Sequence, residues 1–275
     1  MIWQRYILLF IMFLLGKHIC FPSSTRYLEL ADSADYFISR ENWDKAEEKI
    51  IQALRLEPAN FTNSLLLANL GLIQTQKGEY SKAAETLSLG LNIAPKSTVL
   101  LNNRAHAYLL TDSINSAIND IDKSLSIDSV QEWTLQTRAY LYLQDNELEK
   151  SKLLFDKLSK EFPQNSSVYT GYASIARVEG DNNMAIKNYK EAIRLNAKDN
   201  EAREALIMLL IETNDYSGAR SELREALEED PENPMFYLLR GYLHRLNYRL
   251  DEAQADKKIA ISKGLDPKFA GEFIP

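Results

Sequence analysis

Apolar residues recur along this chain at i, i+3, i+4 and i+7 in runs of about a dozen, and short polar turns separate the runs. That is the period of helices buried along one face. Tyr169, Tyr172, Ala173 and Ala176 form one stripe, Gly180 and Asp181 interrupt it, and Met184, Ala185, Ile186, Tyr189, Ala192 and Ile193 form a second. Gly accepts the left-handed conformation that closes a helix, so the pattern predicts two helices joined by a tight turn. Leu206, Leu210, Asn214, Asp215, Ala219, Leu223 and Leu227 repeat the arrangement in the segment that follows. Each such unit is predicted to be a helical hairpin.

The hairpin recurs with a fixed period. KAEEKIIQALRLEPAN returns as KAAETLSLGLNIAPKS, SAINDIDKSLSIDSVQ, KSKLLFDKLSKEFPQN, MAIKNYKEAIRLNAKD and GARSELREALEEDPEN. The small residues Ala46, Ala83, Ala117, Ser151, Ala185, Ala219 and Ala253 are spaced by 37 and then five times by 34. Pro58 precedes Pro95 by 37, which places a three-residue insertion near Phe61 to Asn63, and seven units run from about Tyr27 to Asp266. Ala34, Gly71, Ala105, Ala139, Ala173 and Gly241 each precede the small residue of their own unit by one constant step. Two helices that cross closely tolerate nothing larger than Ala at the crossing. Large residues such as Phe37, Tyr108, Tyr142, Phe155, Tyr189 and Leu223 are then expected to fill the gaps between neighbours.

Composition agrees with the pattern. The 275 residues include only 10 Gly and 8 Pro, too few for the frequent turns of a sandwich or barrel, and Pro58, Pro95, Pro163 and Pro231 fall on the beat of the repeat. A 34-residue helix-turn-helix with these small, large and closing Pro positions resembles the tetratricopeptide repeat. The departures are Ile207 for a small residue, Gln74 for an aromatic and Ser151 for Ala. The resemblance implies an all-α, right-handed superhelical solenoid of helix-turn-helix repeats whose first helices line a concave groove that binds peptides or partner proteins. The expected organisation is a leader over 1–24, seven repeats over 25–267 and a short tail over 268–275.

Candidate functional residues follow from the register. Arg104 and Asp120 are 16 apart, as are Arg240 and Asp256, so each pair is expected to bridge the helices of one hairpin as a structural ion pair. Arg138 has Leu154 at the matching place, which directs it back toward Asp120. On the first helices one groove row reads Asn102, Gln136, Thr170, Glu204, Leu238, the next His106, Tyr140, Ser174, Met208, Tyr242, and the third Leu109, Leu143, Arg177, Ile211, Arg245. With Asn69 and Asn103 nearby, the face is rich in amides that can bond a peptide backbone and in rings that can cover its side chains. Chaperone adaptors of the resembling family clamp a carboxylate with Lys and Asn. Asn102, His106 and Gln136 stand at those places without a lysine, so no such clamp is expected. The last hairpin carries Gln254, Asp256, Lys257, Lys258 and Lys263, a polar face suited to cap an array, while Phe269, Phe273 and Ile274 are free to fold back on its end.

Charge and residue inventory narrow the function. A net charge of −7 with no Lys/Arg cluster excludes phosphate-driven nucleic-acid binding. One cysteine, Cys20, and three histidines, His18, His106 and His244, leave no disulfide framework, no metal site and no nucleophile with its base, so neither cofactor nor metal is expected. A carboxylate hydrolase would have to use residues such as Glu201 and Glu204, three apart on a solvent-facing helix. Arg5 ahead of the apolar run Tyr6 to Leu15, followed by Lys17 and His18, has the layout of a signal peptide. The run is short for a membrane span. Export to the periplasm or the extracellular side of the cell envelope is expected, the alternative being a membrane anchor through residues 6–15. Ile19 before Cys20 is too large for a lipobox. The expected protein is a non-enzymatic scaffold that takes a protein or peptide partner in its groove, with self-assembly in an envelope complex as the alternative.

Overall fold

A computed structural model describes residues 23–275, so the leader, apart from its last two residues, lies outside the described residues. The fold is all-α, with fifteen helices among the described residues. The chain divides into two compact units at Asp128 and Ser129. The first contains α1 (Thr25–Ile38), α2 (Trp43–Leu56), α3 (Asn63–Gln76), α4 (Tyr80–Ile93), α5 (Thr98–Leu109) and α6 (Ile114–Ile127). The second contains α7 (Glu132–Gln144), α8 (Leu148–Glu161), α9 (Ser166–Glu179), α10 (Asn182–Leu195), α11 (Asn200–Glu212), α12 (Tyr216–Glu229), α13 (Pro234–Leu246), α14 (Leu250–Ser262) and the short α15 (Pro267–Phe273). Consecutive helices pair as hairpins, as the repeat predicts.

The small positions are where the helices touch. Ala34, Ala46, Ala83, Ala105, Ala117, Ala139, Ala173, Ala185 and Ala219 are all fully buried. At Gly71 an added Cβ would lie 2.5 Å from Leu87 Cγ, well inside van der Waals contact, so α3 and α4 approach as closely as they do because nothing stands there. Ser151 replaces Ala without loss because its buried hydroxyl donates to the Ala139 carbonyl at 2.8 Å. Phe155, fully buried, meets Tyr140 and Tyr172 edge-on at centroid distances of 5.2 and 6.2 Å.

All seven hairpins turn in the same way. Glu41, Gly78, Asp112, Asn146, Gly180, Asn214 and Tyr248 have φ between 55 and 81° and recur in step with the repeat, the one insertion included. In each turn the following N–H reaches back to the last turn of the helix: Asn42 to Phe37, Glu79 to Gln74, Ser113 to Tyr108, Glu147 to Tyr142, Asp181 to Ala176, Asp215 to Leu210 and Arg249 to His244, at 2.8 to 3.0 Å. This satisfies carbonyls that a helix end leaves open. Only two of the seven positions are Gly, so the pattern of breakers in the sequence understated the regularity of the turns.

The insertion ahead of α3 builds a polar knot. Tyr27 on α1 donates its hydroxyl to Asn63 Oδ1 at 2.9 Å, Asn63 donates to the Glu57 carbonyl at 2.8 Å, and Thr62 donates to Asn60 Oδ1 at 2.7 Å. Ser24 caps α1 and also donates its backbone N–H to Glu57 at 2.8 Å. The Ser24 hydroxyl, the Ser24 backbone N–H and the Asn60 amide all donate to the Glu57 carboxyl and hold it below its ordinary pKa, the Ser24 hydroxyl acting most strongly.

One expectation about the end of the chain is corrected. α14 does not serve as its own polar cap, because α15 covers it: Ala270 and Ile274 are buried with Leu238, Ala253 and Ala260. The polar residues of α14 hold the tail. Gln254 donates to the Pro275 carbonyl at 2.8 Å, Lys257 donates to the Ile274 carbonyl at 2.5 Å, and Asp256 is buried against Arg240.

Candidate functional site

Arg104 on α5 and Asp120 on α6 form a two-bonded pair at 2.7 and 2.8 Å, and Arg104 adds a bond to Ser88 on α4 at 2.8 Å. Asp120 is 1% exposed. Arg240 and Asp256 repeat the geometry between α13 and α14 at 2.9 and 2.6 Å. Both guanidiniums have raised pKa values, chiefly from these hydrogen bonds and against the cost of burial. The pairs lock hairpins. Arg138 lies 3.9 Å over the Tyr142 ring on its own helix.

On the first helices of the unit ending at Asp128, Asn69 donates to Asp35 at 3.0 Å, Asn102 and Asn103 are half-buried and His106 is exposed. Beside them is a line that the groove rows missed. Leu28, Leu65 and Val99 occupy one repeat position in three successive units, and are 51, 68 and 57% exposed. The same spacing would have found them, but a large apolar residue on a helix reads as core until burial is known.

In the unit beginning at Ser129 the predicted face is largely occupied by the protein's own contacts. Gln136 is half-buried. Tyr140 is half-buried and donates to the Ser167 carbonyl at 3.0 Å, and burial is the main cause of its strongly raised pKa. Ser174 donates to the Thr170 carbonyl at 2.9 Å, and Arg177 pairs with Glu212 at 2.9 Å. Met208 packs on the core around Leu206 and Leu210. Glu204 does not face solvent as its helix position suggested. It is half-buried and accepts from Asn233 at 3.0 Å, and burial raises its pKa in spite of that bond, whereas Glu201 is exposed.

At the end of the rows the tail intervenes. Tyr242 meets Phe273 edge-on at 5.5 Å, and Arg245 donates to the Phe273 carbonyl at 2.6 Å. Leu238 and Ile211, placed on the exposed face by the register, are instead 0 and 4% exposed. A step of one repeat identifies equivalent positions, and exposure at each depends on which neighbours follow.

The described residues contain no group of three or more His, Cys, Asp and Glu able to hold a metal ion, and none of their helices is long and apolar enough to cross a membrane. A family model described as tetratricopeptide repeat matches residues 127–237. Over 173 residues the chain is 27% identical to superkiller protein 3 of Schizosaccharomyces pombe; the match takes in 59% of this chain and 12% of that much longer protein. A tetratricopeptide repeat protein from Parabacteroides merdae has a similar structure, with a TM-score of 0.76, 25% identity, and coverage of 91% of this chain and 98% of that one. The Pseudomonas aeruginosa pilF structure superposes with a TM-score of 0.63 at 19% identity over 76% of this chain and 96% of that one, a likeness of fold. The fold is one of protein-interaction scaffolds, a family generally without enzymatic activity.

Proposed function

We propose that this chain, a tetratricopeptide repeat protein, binds an extended segment of a partner protein along the first-helix face that carries Leu28, Leu65 and Val99. The observation that supports the reading is the exposure of these three at one repeat position. Among the described residues no contact covers these side chains fully, and covering the surface they leave in water is worth about 1 kcal/mol apiece. Asn69 and Asn103, which lie in the same first helices, offer amides that can bond a passing backbone. Affinity capture with the chain and with a Leu65→Glu, Val99→Glu variant tests this. The variant keeps its helical content and recovers fewer partners; equal recovery by both chains assigns binding to another face.

We further propose that the protein works at the cell envelope after export. The order Arg5, apolar Tyr6 to Leu15, Lys17 supports that placement. Fused to a phosphatase that is active only after export, residues 1–24 give an active enzyme, whereas an inactive fusion retained in the cytoplasm overturns the placement. Self-assembly is the second reading, and a monomer in sedimentation at micromolar concentration removes it.

A further inference from the structure

α12 and α13 enclose a pocket of about 330 Å³, at the lower end of the sizes that hold small organic ligands. Leu223 and Leu227 of α12 and Leu243 of α13 give it apolar walls. His244 stands at the repeat position held by Phe37, Tyr108 and Tyr142 in other hairpins. Gln74, Ala176 and Leu210 hold the same position in the remaining hairpins, and His244 itself forms part of the pocket wall.

The lining is cationic in an acidic protein. Arg220, Arg224, Arg240 and Arg249 line it with His244, against a single acid, Glu228, although the whole chain carries a net charge of −7. Two of the four arginines are already engaged, Arg240 by Asp256 and Arg249 by Glu252. Arg220 and Arg224, one helical turn apart and exposed, have no ion pair or hydrogen bond among the described residues. Like charges at that spacing repel by a few tenths of a kcal/mol, and the one acid of the lining, Glu228, a turn beyond Arg224, forms no ion pair with either. Guanidinium forks match a planar carboxylate, and the leucine walls ask for an apolar body behind it.

We propose that this pocket binds a carboxylate carried on an aromatic or branched aliphatic body, the charge held by Arg220 and Arg224 and the body resting on Leu223, Leu227 and Leu243. This does not depend on the first-helix reading, since none of Leu28, Leu65 and Val99 lines the pocket. Two sources share the chemistry: a free small acid, or adjacent acidic and apolar side chains in a partner segment.

Calorimetric titration of the full chain tests the proposal with 3-phenylpropionate, its neutral amide, inorganic phosphate and the capped dipeptide N-acetyl-Asp-Phe-amide. The acid binds saturably and at least tenfold more tightly than the amide or phosphate. Arg220→Gln with Arg224→Gln weakens it at least tenfold at unchanged helical content. His244→Tyr, which puts a larger ring into the pocket wall, abolishes binding without lowering the melting temperature. Tighter binding of the dipeptide than of the acid assigns the pocket to a partner segment, and weaker binding assigns it to a free acid. Equal affinity for acid and amide, competition by phosphate at equal concentration, or full binding by the His244→Tyr chain overturns the proposal.

Discussion

Tyr248 is the residue whose conformation and chemistry agree least. It sits at φ 59° and is 92% exposed, so a β-carbon is held in the left-handed region with little side-chain packing in return. Tyr248→Gly is expected to stabilise the chain by about 0.5–1 kcal/mol, less the entropy Gly returns to the unfolded state. Gly180→Ala, at φ 81°, should cost about 1 kcal/mol by the same argument. Thermal melts of both variants check the pair of signs. His244 has a pKa lowered by burial first, with Arg249 and Arg240 acting in the same direction and Asp256 opposing. The unfolded chain therefore takes up that proton before the folded one as pH falls through the ordinary histidine range, and stability falls with it. Relative to His244→Gln, the native chain should lose stability between pH 7 and 5 in urea titrations; parallel curves for the two chains would contradict it. The turn at Gly180 was legible in the sequence because Gly announces a left-handed position. Glu41 and Tyr248 were not, since neither residue type prefers the conformation that the surrounding hairpin imposes on it.

Elements in this protein are held by apolar crossings, by inter-helix hydrogen bonds such as that of Ser151 to Ala139, and by a few buried ion pairs. Asp120 is buried with two bonds from Arg104. Asp120→Asn leaves a half-buried guanidinium without its counter-charge and should cost about 2–3 kcal/mol, whereas replacing both partners by Leu should recover most of the loss. Urea unfolding of the single and double variants separates these outcomes. The pair was legible from its 16-residue spacing because helix-turn-helix geometry brings those two positions together in every hairpin. The fate of Arg177 and Tyr140 was not, because their partners Glu212 and Ser167 are chosen by the packing of one hairpin on the next. Nor does spacing reveal that Arg203 is buried beside Glu229.

For the whole molecule, the arrangement of hairpins makes stability local, each repeat relying on its immediate neighbours. The unit from Ser129 onward contains four hairpins and α15, enough to bury its own core. Expressed alone, residues 129–275 should retain cooperative helical unfolding by circular dichroism; a chain without helical signal would contradict this. Truncation after Asp266 uncovers Leu238 and the α14 face that Ile274 covers, so the shortened chain should melt at lower temperature and associate in sedimentation. The sequence by itself determined the all-α class, the 34-residue beat, the hairpin as repeating unit and the two bridging ion pairs. All of these depend on contacts within a hairpin, where sequence distance and spatial distance rise together. Only the tertiary structure decided which repeat positions stay in water, that the tail replaces a self-capping last helix, and that α12 and α13 enclose a cationic pocket. Those outcomes depend on what the next hairpin, or its absence, places against a surface, and a periodic pattern treats every repeat as if its neighbours were the same.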